Sequence, residues 1–286
     1  VLFAAFKLGR LKKQDISKGD IIINEEIDAA EAEVLDGYRN IALYGVDSRE
    51  GKMDIEAHSD SIIVASINNK TKDVKLVSVY RDTYLDNTNG EYRKATECYY
   101  FGGPERSINM LNKNLDLNIT DFITIDFNGL ADVIELMGGI EIDVQEDEIK
   151  WINGYQEEGS QVTGREIVPV TQPGLQTLNG LQAMSYCRIR YTEGSDYKRT
   201  ERQRTVLEKI LEKAKTLDLL KLNAMVDEMA PHILTSLSTT EILSLAMDVG
   251  KYNLADTTGF PFELQTANIS AGDCVIPQNL AQNVLE

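Results

Sequence analysis

The segment YCRIRYTEGSDYKRTERQR, Tyr186 to Arg204, holds six basic residues within seventeen positions of a 286-residue chain whose formal net charge is −17. On an extended segment, the two-residue period puts Arg188 and Arg190 on one face and Ile189 on the other, forming a fork of guanidiniums. Residues 197–217 read as a helix. Steps of 100° from Arg199 align Gln203, Val206, Ile210, Ala214 and Leu217 on one stripe, opposite Glu201, Arg204, Glu208, Glu212 and Lys215. Arg199 and Gln203 then face inward, Lys198 and Arg204 face water, and Arg202, about 60° off the stripe, belongs to neither side. Thr200 and Gln203 spell a capping box, which would set a helix N-terminus beside the arginines. Inward guanidiniums need an anion, and the planar Arg fork matches phosphate oxygens bidentately. The segment points to a phosphate or pyrophosphate site.

A second charged group follows from strand register. SDSIIVASIN, the turn NNKTKD and VKLVSVYRDTYL read as a β-hairpin. Antiparallel pairing of Ile67 with Val74 sets Asp60 opposite Arg81. Asp47 closes the preceding strand IALYGV, and a short return brings it beside Asp60. A plain Asp–Arg surface pair would be worth under about 1 kcal/mol. Two adjacent carboxylates repel unless a cation joins them. Mg²⁺ suits that place, because it takes one or two carboxylates plus substrate phosphates. Arg93 and Lys94, in the loop-like stretch 92–103, are further candidate anion contacts.

The elements that must position these groups alternate between strand and helix. A helix starts at Pro104 and carries Ile108, Leu111 and Leu115. DFITIDF, NGLADVIELMGG and IEIDV read as strand, helix and strand, a right-handed βαβ crossover if the strands are parallel. Residues 151–174 read as an irregular loop or small hairpin of the kind that forms a lid or rim. Helices follow at 178–186, 217–226 and 240–249, then a strand at 257–262 and a coil-like tail containing Cys274. The leucines and methionines between residues 204 and 250 serve as core or line an apolar tunnel for a lipid chain.

Composition bounds the function. With 42% hydrophobic and 26% charged residues, the chain can bury a full core. An acidic chain with one local basic cluster excludes general nucleic-acid binding. Cys98, Cys187 and Cys274 form no CxxC pair or disulfide framework, and two histidines leave little for zinc. Cys187, with no His near it in sequence, reads as a small strand residue rather than a nucleophile. VLFAAF followed by Lys7, Arg10, Lys12 and Lys13 reads as the trailing edge of a membrane anchor, since six apolar residues fall short of the roughly 20 that span a bilayer. Residues 1–37 are taken as anchor end and linker, possessing at most a short helix, and residues 38–286 as the catalytic domain.

The chain resembles the LytR/CpsA/Psr family of cell-envelope proteins in ordered blocks between residues 40 and 207. NIALYGVDSR resembles the opening strand and maps the family's signature onto Asp47 and Arg49. HSDSIIVASIN maps onto Asp60, with His58 where the family usually has Arg. VSVYRDTYL maps onto Arg81, with Tyr80 in place of proline. ATECYYFGGPERSINMLN resembles the Lys-bearing region, with Lys94 at the matching position and Thr96 where Asn is common. SYCRIRYTEGSDYKRTERQRTVL places Arg188, Arg190, Asp196, Arg199 and Gln203 on the head-group positions.

The resemblance implies a membrane-anchored, extracytoplasmic α/β domain, a three-layer α/β/α sandwich with a mixed central sheet. The implied reaction moves a glycopolymer from a polyprenyl-pyrophosphate carrier to a muramic-acid hydroxyl of peptidoglycan. Combined with the residue reading, it gives Asp47 and Asp60 the Mg²⁺, and Arg49, Arg81, Lys94, Arg188, Arg190, Arg199 and Gln203 the pyrophosphate. Asp60 or Asp196 would take the acceptor proton, while Arg81 and Arg190 stabilise the charge in transfer. A non-catalytic polyprenyl-pyrophosphate binder or envelope regulator, and a pyrophosphate hydrolase, use the same residues and stay open at this point.

Overall fold

The computed structural model describes residues 11–17, 19–25, 27–48, 53–218, 221, 225 and 229–285. The anchor-like residues 1–6 and Arg49 lie outside them. In chain order the elements are β1 (Lys12–Lys13), α1 (Ala29–Asp36), β2 (Tyr38–Val46), β3 (Ser59–Asn68), β4 (Asp73–Val79), β5 (Tyr84–Asp86), β6 (Tyr92–Lys94) and α2 (Ala95–Leu115). Next come β7 (Asp121–Asp126), α3 (Phe127–Leu136), β8 (Ile140–Val144), α4 (Ile149–Thr163), β9 (Gly174–Leu178), α5 (Gly180–Tyr186) and α6 (Ser195–Ala214). The chain continues with β10 (Ile233–Thr235), α7 (Thr239–Met247), β11 (Asn253–Phe260), β12 (Leu264–Ile269), β13 (Gly272–Pro277) and α8 (Leu280–Leu285).

Contacts group the chain into two compact units. One holds Lys12–Ile125, Leu234–Ser238 and Lys251–Glu286; the other is built on Asp126–Ile233 and Thr239–Gly250. The first unit carries a seven-stranded sheet in the order β1-β10-β7-β2-β3-β4-β11. β1 pairs with β10 and β4 with β11 in parallel, whereas β2–β3 and β3–β4 are antiparallel. The sheet is therefore mixed, and the chain is an α/β protein as expected. Tyr44, Val46, Ile62, Val64 and Val79 from the sheet share one core with Tyr99, Ile108, Met110 and Leu111 of α2. Each such side chain, fully buried, contributes about 1.5–3 kcal/mol. This unit also contains a cavity of about 540 Å³ lined by Val64, Val77, Leu115, Phe260, Phe262 and Val284. Among the described residues, its wall is built by the sheet, by α1 and the end of α2, and by the terminal helix.

The second unit has its own core of Ile134, Ile140, Ile142, Val144, Ile152, Leu178, Ile189 and Val206. Helix α4 lies against α5 through Gly159: a Cβ there would meet Leu181 and Met184 at 2.7 Å. The bare backbone is what lets the two helices approach.

Several expectations need correction. α2 begins at Ala95, so residues 95–102 are helical rather than loop; the two segments meet at Gly103, whose φ of 66° only glycine adopts freely, and Pro104 starts the second. Of the 151–174 stretch, residues 151–163 belong to α4, disguised by Gly154 and by Gly159, whose place is packing, while residues 164–173 are irregular as expected. β8 is not a crossover partner of β7; it pairs antiparallel with β9 in a separate ribbon. Its burial alternates, with Glu141 and Asp143 outward, which suits a ribbon with one wet face and not a parallel strand covered on both sides. The tail is a β12–β13 hairpin followed by α8; polar strands and a turn lacking Asn-Gly or Asp-Gly hid it. The expected 217–226 helix falls largely outside the described residues, whereas α7 and β11 match their expected places. Residues 14–37 include the short helix α1, opened by an Asp28–Glu31 capping box.

Gly159→Val should lower unfolding free energy by about 1–3 kcal/mol through overpacking against Leu181 and Met184. Urea unfolding followed by circular dichroism measures it.

Candidate functional site

In the sheet-bearing unit, the register does what the sequence demands. Ile67 pairs with Val74 and the ladder runs unbroken to Ile63–Ser78. Continued past the ladder, the same pairing sets Asp60 against Arg81, and Arg81 Nη1 donates to Asp60 Oδ1. Both side chains are about one-fifth exposed, 20% and 19%, so the pair itself adds little stability. Val46 pairs with Ser59, which puts exposed Asp47 just beyond the end of β2 and Asp60 just after its partner on β3. Two carboxylates thus stand at the ends of adjacent strands, with one arginine.

Helix α2 extends this cluster. Thr96 N donates to Arg81 O at 3.0 Å and Ala95 N to Thr83 O at 2.9 Å, tying the helix N-terminus to the segment after β4. Lys94 is the N-cap and its Nζ lies 3.1 Å from Asp82, whose carboxylate is also 4.0 Å from Arg81 Nε. Arg81, Asp82 and Lys94 form one charged chain at this sheet end. Arg93 points elsewhere: it pairs with Glu91 and Glu97 and lies over Phe101 at 4.8 Å. His58 stacks on Tyr100, with ring centroids 4.7 Å apart. Tyr80, standing where the family has proline, occupies the space over Gly259 that a side chain there would fill.

The other unit holds the arginine segment. Arg188 and Arg190 are not on a strand; they follow α5 in a turn, where Arg188 N donates to Ser185 O and Ile189 N to Tyr186 O. The alternation survives, because Ile189 is buried while Arg188 is half-buried and Arg190 exposed. Arg188 donates to Glu158 at 3.1 Å and covers the Tyr155 ring at 4.9 Å. α6 begins at Ser195 after Gly194 in the left-handed region, so Thr200 is inside the helix and no capping box forms there. Its hydroxyl instead donates to Tyr197 O. The inward placement of Arg199 and Gln203 holds: they are 2% and 8% exposed. Asp196 accepts from Arg199 at 2.9 Å. The amide oxygen of Gln203 is buried without a hydrogen-bond partner, a polar end suited to a ligand.

Arg204 contradicts the helical-wheel expectation. It is buried, as are Arg199, Thr200, Arg202, Gln203 and Val206; these residues span an arc of about 200° around α6, and Lys198 and Glu201 on the remaining arc are exposed, so the buried face is wider than a stripe. Arg202, undecided by the wheel, has a defined task. Its Nε donates to Glu148 at 2.7 Å, Nη1 to Ile189 O at 3.3 Å, and Nη2 to Thr192 Oγ1 at 2.7 Å. One buried guanidinium thereby fixes the backbone between Arg188 and Arg190. No sequence signal links Arg202 to Glu148, which lie 54 positions apart.

Among the described residues, no group of three or more metal-ligating side chains exists. Cys187 is the cap residue of α5, not a strand residue. Burial pushes its thiol and that of Cys98 up to about 12, so neither is a thiolate near neutral pH.

Two outcomes follow. Arg202→Met strands a buried Glu148 and should cost about 3–5 kcal/mol in denaturant unfolding, with much of it recovered by adding Glu148→Leu. At pH 8, iodoacetamide should leave Cys98 and Cys187 unmodified in native protein and alkylate them in urea, as read by mass spectrometry.

With that geometry in place, relatives can be compared. Residues 8–276 match the LytR_cpsA_psr family. A protein of Enterococcus faecalis named polyisoprenyl-teichoic acid–peptidoglycan teichoic acid transferase TagU is 31% identical over 73% of this chain and 65% of its own length. The corresponding TagT of Bacillus subtilis is 26% identical over 78% of this chain and 69% of its own. The chain thus spans about two-thirds of the length of these relatives. In fold it is similar to a LytR-CPS2A-psr family protein, TagT, solved with bound octaprenyl pyrophosphate lipid, with a TM-score of 0.66, 20% identity and 95% of each chain covered. Ordered charged blocks, mixed sheet and family match agree, and the chain belongs to the LytR_cpsA_psr family.

Proposed function

We propose that this chain is a phosphotransferase that attaches a glycopolymer, carried on polyprenyl pyrophosphate, to a muramic-acid hydroxyl of peptidoglycan. The observation that carries the reading is the Asp60–Arg81 pair at the sheet end, in a chain that also buries Arg199 and Gln203 on one helix stripe. The printed names of the relatives, teichoic acid transferases, and the pyrophosphate lipid in the solved TagT, support it. An acidic protein that spends its few inward cations on two clusters is equipped for a local anion, not for a polyanion surface.

The acceptor hydroxyl oxygen attacks the polymer-proximal phosphorus. The bond from that phosphorus to the bridging oxygen breaks, polyprenyl phosphate leaves, and a phosphodiester joins polymer to glycan. The hydroxyl proton passes to a carboxylate, Asp60 or Asp196, each of which faces a guanidinium. Arg81, Arg188, Arg190 and Arg199 stabilise charge on the transferring and leaving phosphates, Arg49 and Lys94 add cations, and Gln203 orients a phosphate oxygen. Mg²⁺, when bound at Asp47 and Asp60, would neutralise pyrophosphate charge. Such a site needs no covalent nucleophile, because positioning and electrostatics supply most of phosphoryl-transfer catalysis. The domain would work outside the cytoplasmic membrane, held by a segment preceding residue 38; no helix among the described residues is long and apolar enough to cross a membrane.

Purified protein with Mg²⁺, a short-chain polyprenyl-pyrophosphate glycan and peptidoglycan fragments should yield a polymer–peptidoglycan conjugate and polyprenyl phosphate. Asp60→Asn and Arg81→Ala should each lower kcat by about 10²-fold or more, and chelation should abolish turnover. If wild type and Arg190→Ala bind the donor and neither makes conjugate, the chain is a binder and the transfer reading is wrong. Phosphate release that needs no peptidoglycan would identify a hydrolase.

A further inference from the structure

Beside the arginine turn, α4 presents a stripe that the transfer chemistry does not use. Trp151, Tyr155 and Glu158 lie at i, i+4 and i+7 on one side of the helix, while Ile152, Gln156 and Gly159 on the other side are buried. Trp151 packs against Tyr191, the residue after Arg190, with ring centroids 4.8 Å apart and planes 33° from parallel. Lys150 covers Trp151 at 4.7 Å. Tyr191 is nonetheless 67% exposed. An aromatic ring braced on one side and bare on the other is a platform. Its rim is polar: Arg188 lies over Tyr155 and bonds Glu158, and the indole N–H of Trp151 is buried with no hydrogen-bond partner.

We propose that this ledge binds a pyranose ring of an N-acetylhexosamine chain, stacked on Tyr191, with its hydroxyl and amide groups served by Arg188 and Glu158. The chemistry is complementary. A pyranose face is a row of slightly positive C–H groups and an aromatic face is negative, while the ring's edge carries the hydroxyls that Arg and Glu bond. Tyr and Trp supply such contact area with few rotatable bonds to freeze. Nucleic-acid bases, which also stack on aromatics, are excluded by the chain's charge of −17. A membrane surface, which attracts Trp, Tyr and Lys, is disfavoured by exposed Glu146, Asp147, Glu157 and Glu158 around the same stripe. The choice of sugar rests on the transferase reading, in which both substrates are glycans; the ledge itself does not.

Trp151 is the chain's one tryptophan, so its fluorescence reports the ledge directly. Titration with a peptidoglycan-derived tetrasaccharide, or with a short-chain polyprenyl-pyrophosphate disaccharide, should change Trp151 emission saturably. Tyr191→Ala should weaken binding of the stacking glycan about tenfold and Tyr191→Phe should leave it within about twofold, since the face and not the hydroxyl binds. In the transfer assay, Tyr191→Ala should raise KM with kcat little changed. The KM that rises, acceptor or donor, identifies the source of the ring. Glycan binding without transfer keeps the ledge and removes the transferase reading. Transfer with both KM values unchanged in Tyr191→Ala, or no emission change with either glycan, overturns the ledge and leaves the reaction standing. An emission change with anionic phospholipid vesicles and with neither glycan would make the surface a membrane contact and overturn the sugar assignment.

Discussion

The structure of the charged sheet end depends on one constraint, the antiparallel register of β2, β3 and β4. A slip of one residue between β3 and β4 would send Asp60 and Arg81 to opposite faces. What prevents it is the pattern of β4, where Val74 and Leu76 are buried and Lys75 between them is exposed, so a slip would bury a lysine and expose the apolar pair. The Asp60–Arg81 contact, being partly exposed, is too weak to set this register. Core packing sets it, and the pair inherits its position. The backbone bonds from Thr96 and Ala95 to Arg81 and Thr83 then fix where α2 begins, and with it Lys94.

The arginine segment obeys the opposite logic. Arg199, Arg202 and Arg204 are enclosed, so each needs partners for the structure to persist. Asp196 accompanies Arg199, and Glu148 accompanies Arg202. The second pairing uses a cation as a structural peg: Arg202 spends its donors on Glu148, Ile189 O and Thr192, and so holds the turn from which Arg188 and Arg190 project. One basic cluster in the sequence is therefore two things in the fold, cations that project from a turn, Arg188 and Arg190, and a scaffold cation, Arg202.

Local chemistry was legible in the sequence wherever short-range rules governed it. The Ile67–Val74 pairing, the inward Arg199 and the strands β2 and β3 followed from period and turn residues. What failed depended on partners far away in sequence. α4 was hidden because Gly159 answers to Leu181 and Met184, not to helix propensity. The strand–helix–strand pattern allows β8 a parallel place beside β7 because nothing local in the sequence announces its partner β9. A helical wheel puts Arg204 in water because it allows only a narrow buried stripe, and the buried face of α6 is wider. The wheel gives Arg202 no role because its partner Glu148 is distant in sequence. The family resemblance filled in the reaction, which no spacing of residues could specify.

The central proposal is that the Asp60–Arg81 pair at the sheet end serves a pyrophosphate. The most direct measurement is the Kd of a soluble short-chain polyprenyl pyrophosphate, with Mg²⁺, for wild type and Arg81→Ala. The account predicts that Arg81→Ala weakens binding about tenfold or more. Binding left unchanged in Arg81→Ala would contradict the account.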